Sequence, residues 1–109
     1  MSENNINTVQ ENFKRKKELI LNDPEVISVF KSEGKQSILN ILIREEKNIQ
    51  DLKNALKMNP GSIKRHIDNL LELGLIVQTR EDENSWGVKM KYYRAVAEKF
   101  TINYSWPES

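Results

Sequence analysis

Residues 58–76 carry the clearest pattern in the chain, because apolar positions recur there with the period of an α-helix. Asn59 can cap the start of this helix, and Pro60 suits its first turn, where no N–H donor is needed. Gly74 can adopt the left-handed conformation that ends many helices. The pattern therefore predicts a helix over residues 60–73 with one buried stripe. The stripe consists of Ile63, Ile67, Leu70 and Leu71.

The opposite face of this helix is small and polar near its start and carries one arginine. At about 100° per residue, Gly61, Ser62, Arg65 and Asn69 fall on the side away from the stripe. A helix that enters the major groove of DNA needs such a face, because base edges are read by polar side chains. The face is therefore a candidate for DNA reading, and a solvated surface is the plainer alternative.

Three shorter segments before residue 58 also have the pattern of helices. A capping signal at Asp23 predicts a short helix that ends near Gly34, and a second helix is predicted over about residues 35–46. Residues 49–56 predict a third helix. Its spacing from the helix at 60–73 is that of a helix-turn-helix.

After Gly74 the helical spacing of apolar residues ends, and apolar and polar residues begin to alternate. Residues 75–79 are rich in β-formers, residues 80–85 read as a polar turn, and residues 86–93 alternate again. This predicts a two-stranded hairpin, which directly after a DNA-reading helix is a wing; Trp86 is expected to pack under it. The predicted fold class is therefore α+β, mainly α: a winged helix-turn-helix with a two-stranded wing.

The two ends of the chain lie outside this winged unit. An amphipathic pattern predicts an extra N-terminal helix over about residues 6–21, within a segment 1–22, despite Lys16 in its apolar stripe. Residues 98–109 predict an extended or short-helical tail with one apolar side, beyond a DNA-binding domain at 23–97. A small domain with two unpartnered apolar faces usually buries them against another chain, so we predict a homodimer. The predicted dimer contacts are Val9, Phe13, Ile20, Phe100, Ile102, Tyr104 and Trp106.

Composition limits the chemistry that this chain supports. It contains no cysteine and one histidine, His66, which flanks the apolar stripe and is read as a packing residue. Thiolate metal sites, disulfides and nucleophile–histidine pairs are therefore excluded or unsupported, and no enzyme activity, metal or cofactor is predicted. There is no apolar run long enough to span a membrane and no signal-peptide pattern, so we expect a cytoplasmic location.

The net charge of +1 neither supports nor excludes nucleic-acid binding, so the placement of the cations decides. The acidic run Glu81–Glu83 at the wing tip would be repelled by a phosphate backbone. The predicted DNA contacts in the helix and turn are Lys57, Asn59, Gly61, Ser62, Lys64, Arg65 and Asn69. Those in the wing are Arg80, Lys89 and Lys91.

The order and spacing of these segments resemble the winged helix-turn-helix regulators of the ArsR type, in the broad sense that includes archaeal relatives. The resemblance covers Asp23 to about Phe100, with its last motif at Lys91-Tyr92-Tyr93-Arg94. It implies a homodimeric transcription regulator that binds a two-fold-related site on double-stranded DNA. The earlier motifs are Asp23-Pro24-Glu25-Val26, Ser37-Ile38-Leu39-Asn40-Ile41-Leu42, Leu52, Ala55-Leu56, Ser62-Ile63-Lys64-Arg65-His66-Ile67 and Leu73-Gly74-Leu75-Ile76.

The chain departs from this family in places that matter for function. Lys53 and Lys57 stand where small residues are common in the family, and the thiolate ligands of its metal-sensing branch are absent. Metal-regulated release of DNA is therefore not implied, and the sequence identifies no other effector. Two further functions stay open. One is a protein-interaction module of a larger transcription, replication or chromosome assembly, and the other is a chromatin-like DNA binder without sequence preference.

Overall fold

A helical body and a two-stranded antiparallel wing make up most of the molecule. The computed structural model describes residues 13–105 and 107. The architecture is α+β and mainly helical, which confirms the predicted winged helix-turn-helix. The elements are β1 (Leu19–Leu21), α1 (Pro24–Ile27), a 3-10 helix (Ser28–Lys31), α2 (Glu33–Arg44), α3 (Ile49–Leu56), α4 (Pro60–Glu72), β2 (Ile76–Glu83), β3 (Lys89–Ala95) and β4 (Phe100–Ile102).

One apolar core lies between α2, α3 and α4. Ile63, Ile67 and Leu70 of the predicted stripe have no exposed area, whereas Leu71 is half-buried at its edge. Burying a large aliphatic side chain contributes about 1.5–3 kcal/mol, so this stripe fixes the position of α4. The core side chains that it meets on the other two helices are Ile38, Leu39, Leu42 and Leu52.

Both ends of α4 are closed as the sequence predicts. The Asn59 side-chain oxygen accepts hydrogen bonds from the backbone N–H groups of Gly61 at 2.7 Å and Ser62 at 3.3 Å. At the other end Gly74 has a φ of 77°. The N–H groups of Gly74 and Leu75 donate to carbonyls of the last turn, each at 3.0 Å, which is the Schellman arrangement.

Helix α3 begins with a complete capping box and ends with a strained residue. The Asn48 side chain accepts from the N–H of Asp51, and the Asp51 carboxylate accepts from the N–H of Asn48. At the far end Lys57 has a φ of 57°, the left-handed conformation that favours glycine. The turn between α3 and α4 is therefore made by a lysine at the expense of backbone strain.

The prediction of an N-terminal helix is wrong over its described part. Residues 13–18 have no helical structure, and β1 pairs in parallel with β4, with Leu19 opposite Phe100. Leu19 and Leu21 face the core while Ile20 points outward, so the strand period of two accounts for the apolar residues without burying Lys16. Residues 6–12 of the predicted helix lie outside the described residues.

Gly34 lies in the first turn of α2, which corrects the expectation that it ends the preceding short helix. A Cβ at this position would lie 2.7 Å from Nε2 of His66, so the glycine permits close packing of α4 against α2. His66 is half-buried there, as a packing residue should be. Its burial, together with the nearby charges of Lys35 and Arg65, holds the pKa of His66 below its ordinary value.

The wing strands are longer than predicted. Strand β2 continues through Glu83, so the polar residues 80–83 form strand rather than turn. Asn84 closes the shorter loop, because its side-chain oxygen accepts from the N–H groups of Trp86 at 2.9 Å and Val88 at 3.0 Å. Local side-chain hydrogen bonds of this kind move the turn to the asparagine.

Replacing Lys57 with glycine should stabilise the protein by about 1 kcal/mol, because it relieves the left-handed conformation of a residue with a Cβ. Urea unfolding of Lys57→Gly and the unaltered protein measures the difference. Lys53→Gly, an identical loss of charge inside α3, is the control and should destabilise by roughly 1 kcal/mol. Equal effects of the two changes would contradict this account of the turn.

Candidate nucleic-acid interface

The N-terminal half of α4 presents its polar face to solvent. Gly61, Lys64 and Arg65 are exposed, and Ser62 and Asn69 are half-buried at the edges of the face. The structure thus places the four residues predicted from the helical period, together with Lys64, on the outer side of α4. Arg65 forms no salt bridge with any residue of the described chain, so its guanidinium is open to an external acceptor.

Lys64 differs from its neighbour Arg65 because its charge is already paired. Its Nζ lies 2.8 Å from a carboxylate oxygen of Asp68, one helical turn further along. Both side chains are more than half exposed, so the pair contributes little to stability and can open. Lys64 therefore offers an external acceptor less net positive charge than Arg65 does, because Asp68 lies beside it.

Asn59 and Gly61 have a structural explanation that the sequence reading gave only in part. The Asn59 oxygen is used by the cap of α4. A Cβ at Gly61 would lie 3.0 Å from that oxygen, which is tighter than ordinary contact. Glycine at position 61 therefore leaves room for the cap, independent of any approach to DNA.

The wing is attached to the helical body by an ion-pair network around Arg80. Its Nε lies 2.8 Å from Oε1 of Glu46, which follows α2 in the chain. Arg80 also pairs with Asp82 and stacks on the ring of Tyr92, 3.8 Å from its centroid. The hydroxyl of Thr79 donates to the other Glu46 oxygen. Arg80 is thus neutralised within the protein, unlike the other predicted wing contacts.

Lys89 and Lys91 are the exposed cations of the wing. Lys89 lies 3.9 Å from a Glu81 oxygen, a loose pair, and Lys91 forms no salt bridge within residues 13–105. Three basic and three acidic residues occupy positions 80–91. The acidic run is therefore balanced, and the wing as a whole is not negative.

The tip of the wing projects beyond the helical body. Trp86 is 87% exposed, which corrects the expectation that it packs under the hairpin. The loop is closed by Asn84 alone, and all residues from 81 to 89 are exposed, so the ring has no surface to cover it.

A comparison with known families bears on the function of this surface. Residues 32–77, from the cap of α2 to the start of β2, match the family described as bacterial regulatory protein, arsR family. The segment is an ArsR-type helix-turn-helix domain. The match supports a DNA-binding transcription regulator. No curated protein matches the chain.

No ion site or membrane span accompanies the ArsR-type domain in the part of the chain that the structure describes. Residues 13–105 and 107 hold no group of three or more histidines, aspartates and glutamates that could bind a metal. None of the helices found there is long and apolar enough to cross a bilayer.

The predicted dimer residues fall into two groups around the β1–β4 sheet. Phe13 and Phe100 are half-buried, and Phe100 packs against the core of the ArsR-type domain. Ile20, Ile102 and Tyr104 are 57%, 47% and 41% exposed, so they remain open to a partner. Val9 and Trp106 lie outside the described residues.

Glu46 is the site residue that sequence reasoning missed. Its partners Thr79 and Arg80 lie more than thirty positions away, and no local pattern marks the pairing. Burial alone would raise the pKa of Glu46. Hydrogen bonds from Thr79 and Arg80, with the charge of Arg80 and Arg94, outweigh burial and hold the pKa below its ordinary value.

Replacing Glu46 with glutamine should lower the free energy of unfolding by about 0.5–1 kcal/mol at pH 7, since the ion pair is partly exposed. A depressed carboxyl pKa contributes stability above the ordinary pKa and loses it as pH falls through the folded-state value. The difference from the unaltered protein should therefore shrink as the pH falls below the ordinary carboxyl pKa of 4.5. Urea unfolding at pH 7 and at a series of pH values below 4.5 measures it.

Glu83→Gln is the matched control for Glu46→Gln. Glu83 forms no salt bridge with any residue of the described chain, so its replacement should leave stability within about 0.5 kcal/mol at pH 7. A pH-independent deficit in Glu46→Gln would rule out the charge-based role.

Proposed function

We propose that this protein is a homodimeric, sequence-specific regulator that places α4 of each subunit in a major groove of double-stranded DNA. The observation that carries the proposal is Arg65, whose guanidinium has no salt-bridge partner among the described residues and lies on the exposed face of a packed helix. A planar arginine fork matches the two acceptors of a guanine edge. Ser62 and Asn69 flank Arg65 and supply short polar groups for neighbouring contacts.

Phosphate contacts in this proposal come from exposed lysines that form no close ion pair within the described residues. Lys57 and Lys53 are exposed at the end of α3, and Lys89 and Lys91 are exposed on the wing. Such contacts set the position of the helix and make affinity fall with salt, without reading sequence. Arg80 holds the wing against the helical body in this scheme, and Lys64 contributes when its pair with Asp68 opens.

A second copy of the chain completes the proposed assembly. Ile20, Ile102 and Tyr104 leave an apolar patch on and beside the β1–β4 sheet, which has two strands only among the described residues. Two-stranded sheets are marginal alone, and their unpaired edges and apolar residues favour association. A two-fold pair places two recognition helices about 34 Å apart, one turn of DNA.

One observation favours a second candidate function. Trp86 is the most exposed large apolar side chain of the described residues and sits at the tip of a closed turn. Exposed tryptophans are frequent anchors of protein interfaces. The protein would then act as an interaction module of a larger assembly. Selection of bound duplexes from a random pool separates the candidates, because only the regulator enriches a two-fold-related sequence.

Replacing Arg65 with alanine should cost about 1–3 kcal/mol of discrimination between the selected site and a site changed at one guanine, roughly 5- to 150-fold in relative affinity. Fluorescence anisotropy with both duplexes measures the ratio. Lys31→Ala, which removes an exposed cation from the 3-10 helix before α2, is the control. Unchanged discrimination in Arg65→Ala would overturn the assignment of Arg65 to base reading.

Replacing Lys57 with glycine should weaken binding to all duplexes alike and lower the slope of log affinity against log salt by about 1. The physical reason is the loss of one phosphate contact. Because this variant should be the more stable protein, weaker binding cannot be attributed to unfolding. A slope equal to that of the unaltered protein would exclude Lys57 as a phosphate contact.

Replacing Ile20 and Ile102 together with lysine should convert the proposed dimer to a monomer, because like charges and lost apolar area oppose association. Sedimentation velocity at micromolar concentration measures the state of each protein. Trp86→Ser removes a more exposed apolar side chain at the wing tip and should leave the dimer intact. A monomeric unaltered protein under these conditions would refute the dimer.

A further inference from the structure

A cleft of about 470 Å³ lies between the start of α3, the outer side of α4 and the inner face of the wing. This is within the range of sites that hold small organic molecules. Ile49, Leu71 and Met90 contribute apolar lining from these three parts of the fold. The cleft is therefore open enough to admit a ligand and apolar enough to retain one.

The polar lining of the cleft favours an anion. Lys64, Lys89 and Lys91 line it, and Asp68 is the one acidic residue among the lining side chains. Because Asp68 pairs with Lys64, the two wing lysines retain their charge for a ligand. A carboxylate accepts charge-assisted hydrogen bonds from lysine, which are about twice as strong as neutral ones.

Gln78 supplies an independent sign that a ligand belongs there. Its side chain also lines the cleft, and its amide nitrogen is buried with no hydrogen-bond partner among the described residues. An unsatisfied buried donor is costly, so native structures rarely leave one without a reason. An acceptor atom of a bound molecule would satisfy this donor.

We propose that the cleft binds a small carboxylate with an apolar body, and that this ligand competes with DNA. The carboxylate meets Lys89, Lys91 and the amide donor of Gln78, and the apolar body covers Ile49, Leu71 and Met90. The two wing lysines are also the proposed phosphate contacts, so ligand and DNA use the same charges. The regulatory part of this proposal rests on the proposed function, whereas the binding part does not.

A backbone phosphate of DNA satisfies only part of this lining. A phosphate can reach the lysines at the rim, but it gains nothing from the apolar residues, and we expect it not to contact the buried amide of Gln78. Gln78 therefore separates the two sources of negative charge. A small ligand depends on Gln78 and on the lysines, while DNA depends on the lysines alone.

The probe for the binding test is 4-phenylbutyrate, with 4-phenylbutyramide as its uncharged counterpart. Titration into the ¹⁵N-labelled protein without DNA should shift backbone amide resonances around the cleft, with affinity about tenfold weaker for the amide. Gln78→Leu and Lys91→Ala should each lower the affinity for the acid by about tenfold, and Lys31→Ala should leave that affinity unchanged. Gln78→Leu should also unfold at equal or higher urea concentration, because it removes an unpaired donor.

The DNA arm uses the same variants with the selected duplex. The acid should lower duplex affinity of the unaltered protein, Lys91→Ala should weaken the duplex, and Gln78→Leu should leave it unchanged. Three results would overturn the proposal. They are the absence of saturable shifts, shifts centred on the β1–β4 sheet, and a Gln78→Leu variant that binds the acid as tightly as the unaltered protein does. If the acid binds the cleft and no duplex is bound, the ligand site stands and the proposed DNA function fails.

Discussion

The buried stripe of α4 is the constraint on which the rest of the structure depends. Ile63, Ile67 and Leu70 have no exposed area, so the rotation of α4 about its axis is fixed by the core. With a period of about 3.6 residues, fixing one face fixes the other, and Arg65 must point away from the body. Closed caps at both ends keep the helix from sliding or fraying. Precise positioning of the proposed DNA-reading helix is thus obtained from ordinary apolar packing.

The position of the wing depends on a different interaction. A hairpin alone is marginally stable, and here Glu46 ties its base to the loop after α2 through Thr79 and Arg80. This network determines the separation of the wing from α4 and hence the shape of the cleft between them. It also consumes the charge of Arg80, so the same residue cannot serve both as a brace and as a strong external contact. In the proposed scheme, Lys89 and Lys91 bind phosphate and ligand instead.

The two ends of the chain contribute to the fold by pairing with each other. Parallel pairing of β1 with β4 carries Leu21 into the core and places Phe100 against it, so part of the apolar surface expected at a dimer interface is used within one subunit. What remains outside is smaller: Ile20, Ile102 and Tyr104. A partner would therefore cover the outer side and edges of a small sheet, rather than two independent apolar helices.

The sequence by itself determined the elements whose signals are local. Caps at Asn48 and Asn59, the stop at Gly74, the stripe of α4 and the switch to alternation after it each follow from the backbone and side-chain chemistry of a few neighbouring residues. These signals were sufficient for the helix-turn-helix, the wing and the exposed face with Arg65.

Only the tertiary structure decided whether the N-terminal segment forms a helix or a strand, because the choice depends on β4, some eighty residues away. It also decided that Gly34 serves the packing of His66, that Arg80 is neutralised by Glu46, and that Gln78 faces a cleft with an unpaired amide. Each of these depends on contacts between residues far apart in the chain, and no local pattern encodes such contacts.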